Sequence, residues 1–282
     1  MEVHIHPFQL KSVRQKQDIP LYLHTSPEFM MKELLARTDD NFEKIFTLSY
    51  VFRDEPKSPI HRSQFLMIEW YRKHASYDLI LKDCQDLIRY LGLNTPHEKQ
   101  KPTLKAPPKI RTIQEIFLEY LQVDILDYLD VVKIKELIKR YPEIPLPHAE
   151  LEWDDYYFLL YLNKIEPELS REPILFLTEF PAPLSALSKL KSTDPRVCLR
   201  FELYLNGVEI CNCFEELTDL HEQKLRFLWQ SSLKKSTYNY ELPSPERFYR
   251  AFEKGFPESS GVALGVERLI SELFKTDDVF FD

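Results

Sequence analysis

Glycine is scarce in this chain: only five occur among 282 residues, and four of them, Gly207, Gly255, Gly261 and Gly265, fall after residue 200. Glycine serves where backbone turns tightly or must be approached closely, so special backbone geometry is expected in the C-terminal third. Cysteine is nearly as limited. Cys84, Cys198, Cys211 and Cys213 include no CxxC pair, and Cys211-x-Cys213 without a matching His or Cys pair is a poor zinc arrangement. On a strand both side chains would share one face, so buried free thiols are expected, with a metal or disulfide role as the lesser alternative. An excess of positive charge is also missing. The net charge is −8, which argues against nonspecific binding to a nucleic acid backbone. An N-terminal signal peptide and an apolar run long enough to cross a bilayer are both lacking, so a cytoplasmic location without membrane association is expected.

What the chain does contain is aromatic residues, prolines and ordinary apolar and charged fractions, enough for one large core. Thr95 to Pro108 combines prolines with charges and reads as an extended surface linker. Pro27 to Ala36 reads as a helix capped by Ser26. In Lys44 to Arg53, Phe46, Leu48, Tyr50 and Phe52 alternate with Thr47, Ser49, Val51 and Arg53, a period of two that predicts a strand with one apolar and one more polar face. A loop with prolines, Lys57, His61 and Arg62 leads to a second strand over 65–71, which places Phe65, Met67, Glu69 and Tyr71 on one face. Tyr77 to Leu91 is an amphipathic helix ending near Gly92. Residues 112–165 are mostly helical by pattern, 173–180 a strand, and 198–213 a hairpin turning at Asn206-Gly207. Helices follow near 219–234 and 244–254, then a strand leading into a helix over 260–269. Antiparallel strands with separate helices predict α+β, as a single domain over 1–282 with a linker plus helical insertion over 95–170.

Three segments, in order, carry a family resemblance. His24-Thr-Ser-Pro-Glu-Phe29 is similar to the "TSPE" stretch of the lysyl and related subgroups of class II aminoacyl-tRNA synthetases. Phe52-Arg-Asp-Glu55 with His61, Gln64-Phe65 and Glu69 resembles the second motif of that class. Gly261-Val-Ala-Leu-Gly-Val-Glu-Arg268 resembles its third. Arg200 to Asp219, Phe180-Pro-Ala182 and the wording of 260–265 resemble lysyl-type enzymes, and among them the stand-alone paralogues that modify elongation factor P. The resemblance covers residues from about 20 to the end and is weakest over 95–165. No separate anticodon-reading barrel is expected ahead of Val3.

The resemblance implies a class II antiparallel sheet flanked by helices and adenylate formation from ATP. It assigns Arg53 to the substrate carboxylate and α-phosphate, Glu55 and His61 to the adenine and phosphate side, Phe65 to stacking on adenine, and Arg268 to the γ-phosphate. Arginine suits such fixed bidentate contacts better than lysine. Glu209 and Glu216 resemble a pair holding Mg²⁺. Seven residues apart, they would face opposite sides of a regular strand, so the family pattern implies a bend near Asn212. Ser26, Glu28, Glu69, Tyr71, Asn212 and Ala263 match the amino-acid pocket, where a buried ammonium needs a carboxylate partner. Ala263 stands where lysyl-tRNA synthetases usually have glycine, a methyl that favours (R)-β-lysine over lysine, and both stay open.

Taken singly, each of these residues has a plain structural reading: a surface arginine, a core phenylalanine, solvated carboxylates, an exposed histidine, a small packed alanine. Only their joint order supports a site. Departures also occur. Gln64 replaces a glutamate, Arg62-Ser63 stands for Asn-Pro, Cys213 for glycine and Glu267 for aspartate. The family's first motif, an N-terminal dimerisation element, has no counterpart, so the homodimer the resemblance implies would lack its usual interface. Three functions follow as expectations: ligation of lysine or (R)-β-lysine to a lysine of elongation factor P, a non-catalytic paralogue acting as a binding or regulatory module, or an enzyme with another acceptor. The acidic balance disfavours tRNA as that acceptor.

Overall fold

The computed structural model describes all residues except 1–2, 13–19, 38–41, 57, 59, 149–150, 254, 277–278 and 280–282. Lys57 of the predicted loop lies outside the described residues. Two short strands, β1 (Gln9–Leu10) and β2 (Leu21–Tyr22), pair antiparallel and precede helix α1 (Glu28–Leu35). The helix starts one residue later than predicted. Pro27 occupies the cap position, and Ser26 Oγ accepts a long 3.4 Å bond from Glu28 N.

Eight strands among the described residues build one sheet: β3 (Lys44–Phe52), β4 (Gln64–Lys73), β5 (Lys109–Thr112), β6 (Ile174–Pro181), β7 (Leu190–Lys191), β8 (Asp194–Leu205), β9 (Val208–Glu215) and β10 (Ser259–Gly265). The order is β3-β4-β10-β9-β8-β6-β5, with β7 added at β8. All pairs are antiparallel except β5 with β6. A parallel pair needs a long crossover, and residues 113–173 supply it as helices α3 (Ile113–Leu121), α4 (Val131–Ile138), α5 (Trp153–Leu160), a π-turn (Tyr161–Ile165) and α6 (Glu166–Leu169). The α+β expectation is met.

The sheet separates two apolar layers. On one side α2 (Tyr77–Asn94) and α9 (Val266–Leu273) bury Ile80, Cys84, Leu269 and Leu273 against Phe201, Leu203, Cys211, Cys213, Val262 and Leu264. The thiols of Cys211 and Cys213 are buried and free, as their shared strand face predicts. The crossover helices form a second cluster, Ile116, Phe117, Ile134, Leu137 and Tyr157 packing with Leu175, Leu177 and Tyr204 of the sheet. A third joins α1, α7 (Leu220–Tyr238) and α8 (Glu246–Glu253) around Phe227, Phe248 and Tyr71.

Three expectations need correction. Residues 95–108 are not an extended linker: two 3₁₀ turns fold them back, Gln100 pairs with Phe274, and Gln100 Nε2 donates to the carbonyls of Gly92 (2.6 Å) and Thr95 (2.5 Å). Proline blocks α-helix but not these short turns. Helix α2 runs through Gly92 to Asn94 instead of ending at the glycine. On β3 the covered side is the one carrying Thr47, Ser49 and Val51, while Phe46, Leu48 and Tyr50 are 74%, 55% and 55% exposed. Alternation defines two faces of a strand; which face is covered depends on what packs there.

Candidate active site

The Asn206-Gly207 turn, with φ of 50° and 84°, joins β8 to β9. Two central residues in the left-handed region match the twist of a tight hairpin. Just beyond it Tyr204 pairs with Glu209 while Leu203 pairs with Cys211, so Ile210 is an extra, bulged residue. A bulge absorbs one residue of the alternation. Glu209 therefore shares a face with Asn212 and Phe214, and Glu216 continues that series. The bend that the seven-residue spacing demands lies at Ile210, not near Asn212.

Register places the neighbouring strands on the same face. Ala263 pairs with Glu69 on one side and Asn212 on the other, and Gly261 pairs with Tyr71 and Phe214. The Gly261, Ala263 and Gly265 positions make a low floor. A side chain at Gly261 would run into the Tyr71 ring, so only glycine allows this close approach. Tyr71 then lies against the strand and donates from its hydroxyl to Glu69 Oε1 at 2.6 Å.

Over this floor opens a cavity of about 800 Å³. Arg53, Glu55, His61, Phe65, Glu209 and Arg268 line it, and so do Ser26, Glu28, Glu69, Tyr71, Asn212, Glu216 and Ala263. All predicted site residues, scattered over more than two hundred positions, thus surround one space. Arg53 is anchored by Nε donating to Thr25 O at 3.4 Å, with its guanidinium 5.3 Å from the Phe65 ring centre. Arg268 donates from Nε to Ile60 O (3.2 Å) and from Nη1 to Glu209 O (2.9 Å). Burial lowers the His61 pKa, and the positive fields of Arg268 and Arg53 add to it. The same two arginines act on Glu209, whose carboxyl is pushed up to about 7 by burial and by Glu202. Both guanidiniums therefore bear on one region.

The other end of the cavity is acidic. Glu69 is 1% exposed, and its Oε2 has no hydrogen-bond partner among the described residues. Burial and the nearby Glu28 push its carboxyl up to about 8. A buried, half-satisfied carboxyl is costly unless something arrives to meet it.

Several residues here escaped the sequence reading. Lys32, fully buried, lies 2.7 Å from Glu28 Oε1 and 2.6 Å from Glu216 Oε2. Its only sequence signal is the i,i+4 spacing from Glu28. The Lys32 ammonium, and not Glu209, is thus the immediate neighbour of Glu216. Arg200 bonds Asn212 Oδ1 through Nε (3.1 Å) and Leu184 O through Nη1 (3.0 Å), pairs with Glu202, and lies over the rings of Phe180 and Phe214. Glu202 in turn accepts from Tyr204, which accepts from Tyr161 in the π-turn. Arg200 and Glu202 sit i,i+2 on a strand, a signal that alternation alone could have raised. Glu267, on the third motif, accepts from Leu66 N (2.8 and 3.0 Å) and ties that helix to β4.

The model for the family described as tRNA synthetases class II (D, K and N) matches residues 2–280. The elongation factor P–(R)-beta-lysine ligase of Proteus mirabilis is 35% identical over 271 residues, 95% of this chain and 79% of that protein. The protein of the same name from Erwinia tasmaniensis is 34% identical over 280 residues, 99% of this chain and 82% of that one. A third, from Salmonella typhi, is 32% identical over 271 residues, with 95% and 79% covered. With a family match over nearly its whole length and relatives 34–35% identical over 95–99% of it, the chain belongs to the class II tRNA synthetase family (D, K and N).

Proposed function

We propose that the chain is an ATP-dependent, AMP-forming ligase that activates lysine or (R)-β-lysine as an aminoacyl-adenylate and transfers it to a lysine of elongation factor P. The observation that carries this reading is the polarity of the cavity: two anchored guanidiniums bear on one end, and buried carboxylates gather at the other. The ends match a triphosphate and an amino acid rich in ammonium groups. The names of the relatives support the acceptor and the amino acid.

In this reading a substrate carboxylate oxygen attacks the α-phosphorus of ATP and pyrophosphate leaves. The acceptor amine then attacks the adenylate carbonyl, loses a proton and releases AMP. Positioning and charge stabilisation dominate such a displacement. Arg53 holds the substrate carboxylate against the α-phosphate, Phe65 stacks on the adenine, and Glu55 and His61 contact the nucleotide. At the same end of the cavity Arg268 holds the γ-phosphate, at the other end of the triphosphate from Arg53. Glu28 and Glu69 accept from the substrate ammonium groups, with Ser26, Tyr71 and Asn212 as polar neighbours. Ala263, between Glu69 and Asn212 in register, sets the space for the amino acid backbone. Bound Mg²⁺ would supply charge neutralisation at the phosphates. Of its two expected ligands, Glu209 makes no side-chain hydrogen bond among the described residues and fits that role, whereas Glu216 is engaged by Lys32 and is assigned to the amino-acid end.

The test is ATP–pyrophosphate exchange with a panel of lysine isomers, followed by transfer of labelled amino acid to elongation factor P or to tRNA. Exchange with lysine or (R)-β-lysine and labelling of the protein acceptor are expected. Folded enzyme that binds ATP but exchanges with no isomer would favour the non-catalytic alternative.

A further inference from the structure

Lys32, on α1, lies behind the acidic wall of the cavity, where its ammonium bridges two lining carboxylates, Glu28 from its own helix and Glu216 from beyond β9. Its side chain is 0% exposed. The strand residue Glu69, held by Tyr71, completes a set of three carboxylates, and Glu69 Oε2 points to no partner among the described residues. Three carboxylates thus share a single ammonium. Burial raises the Glu69 carboxyl to about 8, so in the empty cleft it carries a proton, and an arriving ammonium takes that proton's place. A ligand with two ammonium groups and one carboxylate, the carboxylate directed to Arg53, balances the set. A ligand with one ammonium group leaves a carboxylate uncompensated.

Resting on the ligase reading above, we infer that Lys32 is a positioning residue: it holds Glu28 and Glu216 fixed as an internal counter-ion and thereby selects diamino over monoamino acids. Lys32 does this without touching the reacting atoms. With Lys32 bridging the other two, Glu69 Oε2 is the acceptor left facing the incoming amino group. An ordinary buried ion pair would contribute to the fold alone and leave discrimination between ligands unchanged. Here the same carboxylates line the cavity, so losing the bridge lets them move apart or take up protons, and the ligand end changes with them.

Calorimetric titration of wild type, Lys32→Gln and Lys32→Arg with L-lysine, norleucine, 1,5-diaminopentane and ATP tests this. For Lys32→Gln, lysine and diamine affinity should fall at least about tenfold with ATP affinity within about twofold, because only the carboxylate end loses its counter-ion. The lysine-to-norleucine ratio should narrow accordingly. Lys32→Arg, which keeps the charge and should fold even if the glutamine variant does not, should recover part of the discrimination. Unchanged lysine affinity in folded Lys32→Gln overturns the inference. So does a fall of lysine and ATP affinity together, an arginine variant no better than glutamine, or a wild type that binds neither lysine nor the diamine. Wild type that binds the diamine yet shows no pyrophosphate exchange with lysine would end the ligase reading and leave the role of Lys32 standing.

Discussion

Glu69 carries a stability signature that can be measured without any substrate. Burial and Glu28 raise its carboxyl from 4.5 to about 8, so the folded chain keeps a proton that the unfolded chain releases. Protons bound more tightly by the native state mean that stability falls as pH rises from about 4.5 through about 8. Glu69→Gln keeps the shape and removes the titration. Its unfolding free energy should equal wild type near pH 4.5 and exceed it at pH 8, by an amount on the order of a few kcal/mol. A variant no more stable than wild type at pH 8 would contradict the assignment. Lys32 is raised as well, but its partners and not burial are the cause. Burial works against its charge, yet Glu216 and Glu28 raise its pKa above the usual lysine range, so the ammonium persists throughout. Lys32→Met should therefore strand the buried Glu216 and the partly buried Glu28 and cost about 3–5 kcal/mol in denaturant titration.

Between elements, β10 comes close to the ring of Tyr71 on β4 at Gly261. Gly261→Ala places a methyl where that ring lies. Overpacking of this kind costs about 1–3 kcal/mol, and the ring can yield only by leaving Glu69. Calorimetry should show lysine affinity reduced by about tenfold with ATP affinity kept, since one lost charge-assisted hydrogen bond is worth about 1.5–3 kcal/mol. Equal loss for both ligands would mean that the strand itself has moved. The Ile210 bulge works at the same scale. Glu209, Asn212, Phe214 and Glu216 share a face only because one residue drops out of the alternation. The requirement for a bend was legible from the spacing of Glu209 and Glu216, but its place was not. Ile210 is an unremarkable strand residue by type, and register is a property of two strands together.

Over the whole molecule, the crossover helices and the sheet share a core. Ile134 and Leu137 of α4 pack in one cluster with Leu175 and Leu177 of β6 and Tyr204 of β8. We therefore propose that residues 95–170 do not form a separately folding unit. Ile134→Ala should destabilise the entire chain by about 2–5 kcal/mol, with unfolding still one calorimetric transition. A second transition appearing at low temperature would show that the insertion melts alone. Among the described residues no helix is long and apolar enough to cross a membrane.

The chain's own sequence determined most of the elements, the hairpin at Asn206-Gly207 and the family, because turn chemistry, alternation and ordered motifs are local or collinear information. Arg53, Glu69, Glu209 and Arg268 were legible for the same reason: each belongs to a motif. Lys32, Arg200 and Glu202 were not. Their significance comes from partners brought together by strand pairing and by the packing of α1 over the sheet, and a lone lysine on a helix looks like any solvated cation. Tertiary structure alone decided which face of β3 is covered, where the bulge falls, and that Glu216 meets an ammonium. Each depends on contacts between segments far apart in the chain, and the cost of burying charge without a partner is set only when those segments close around it.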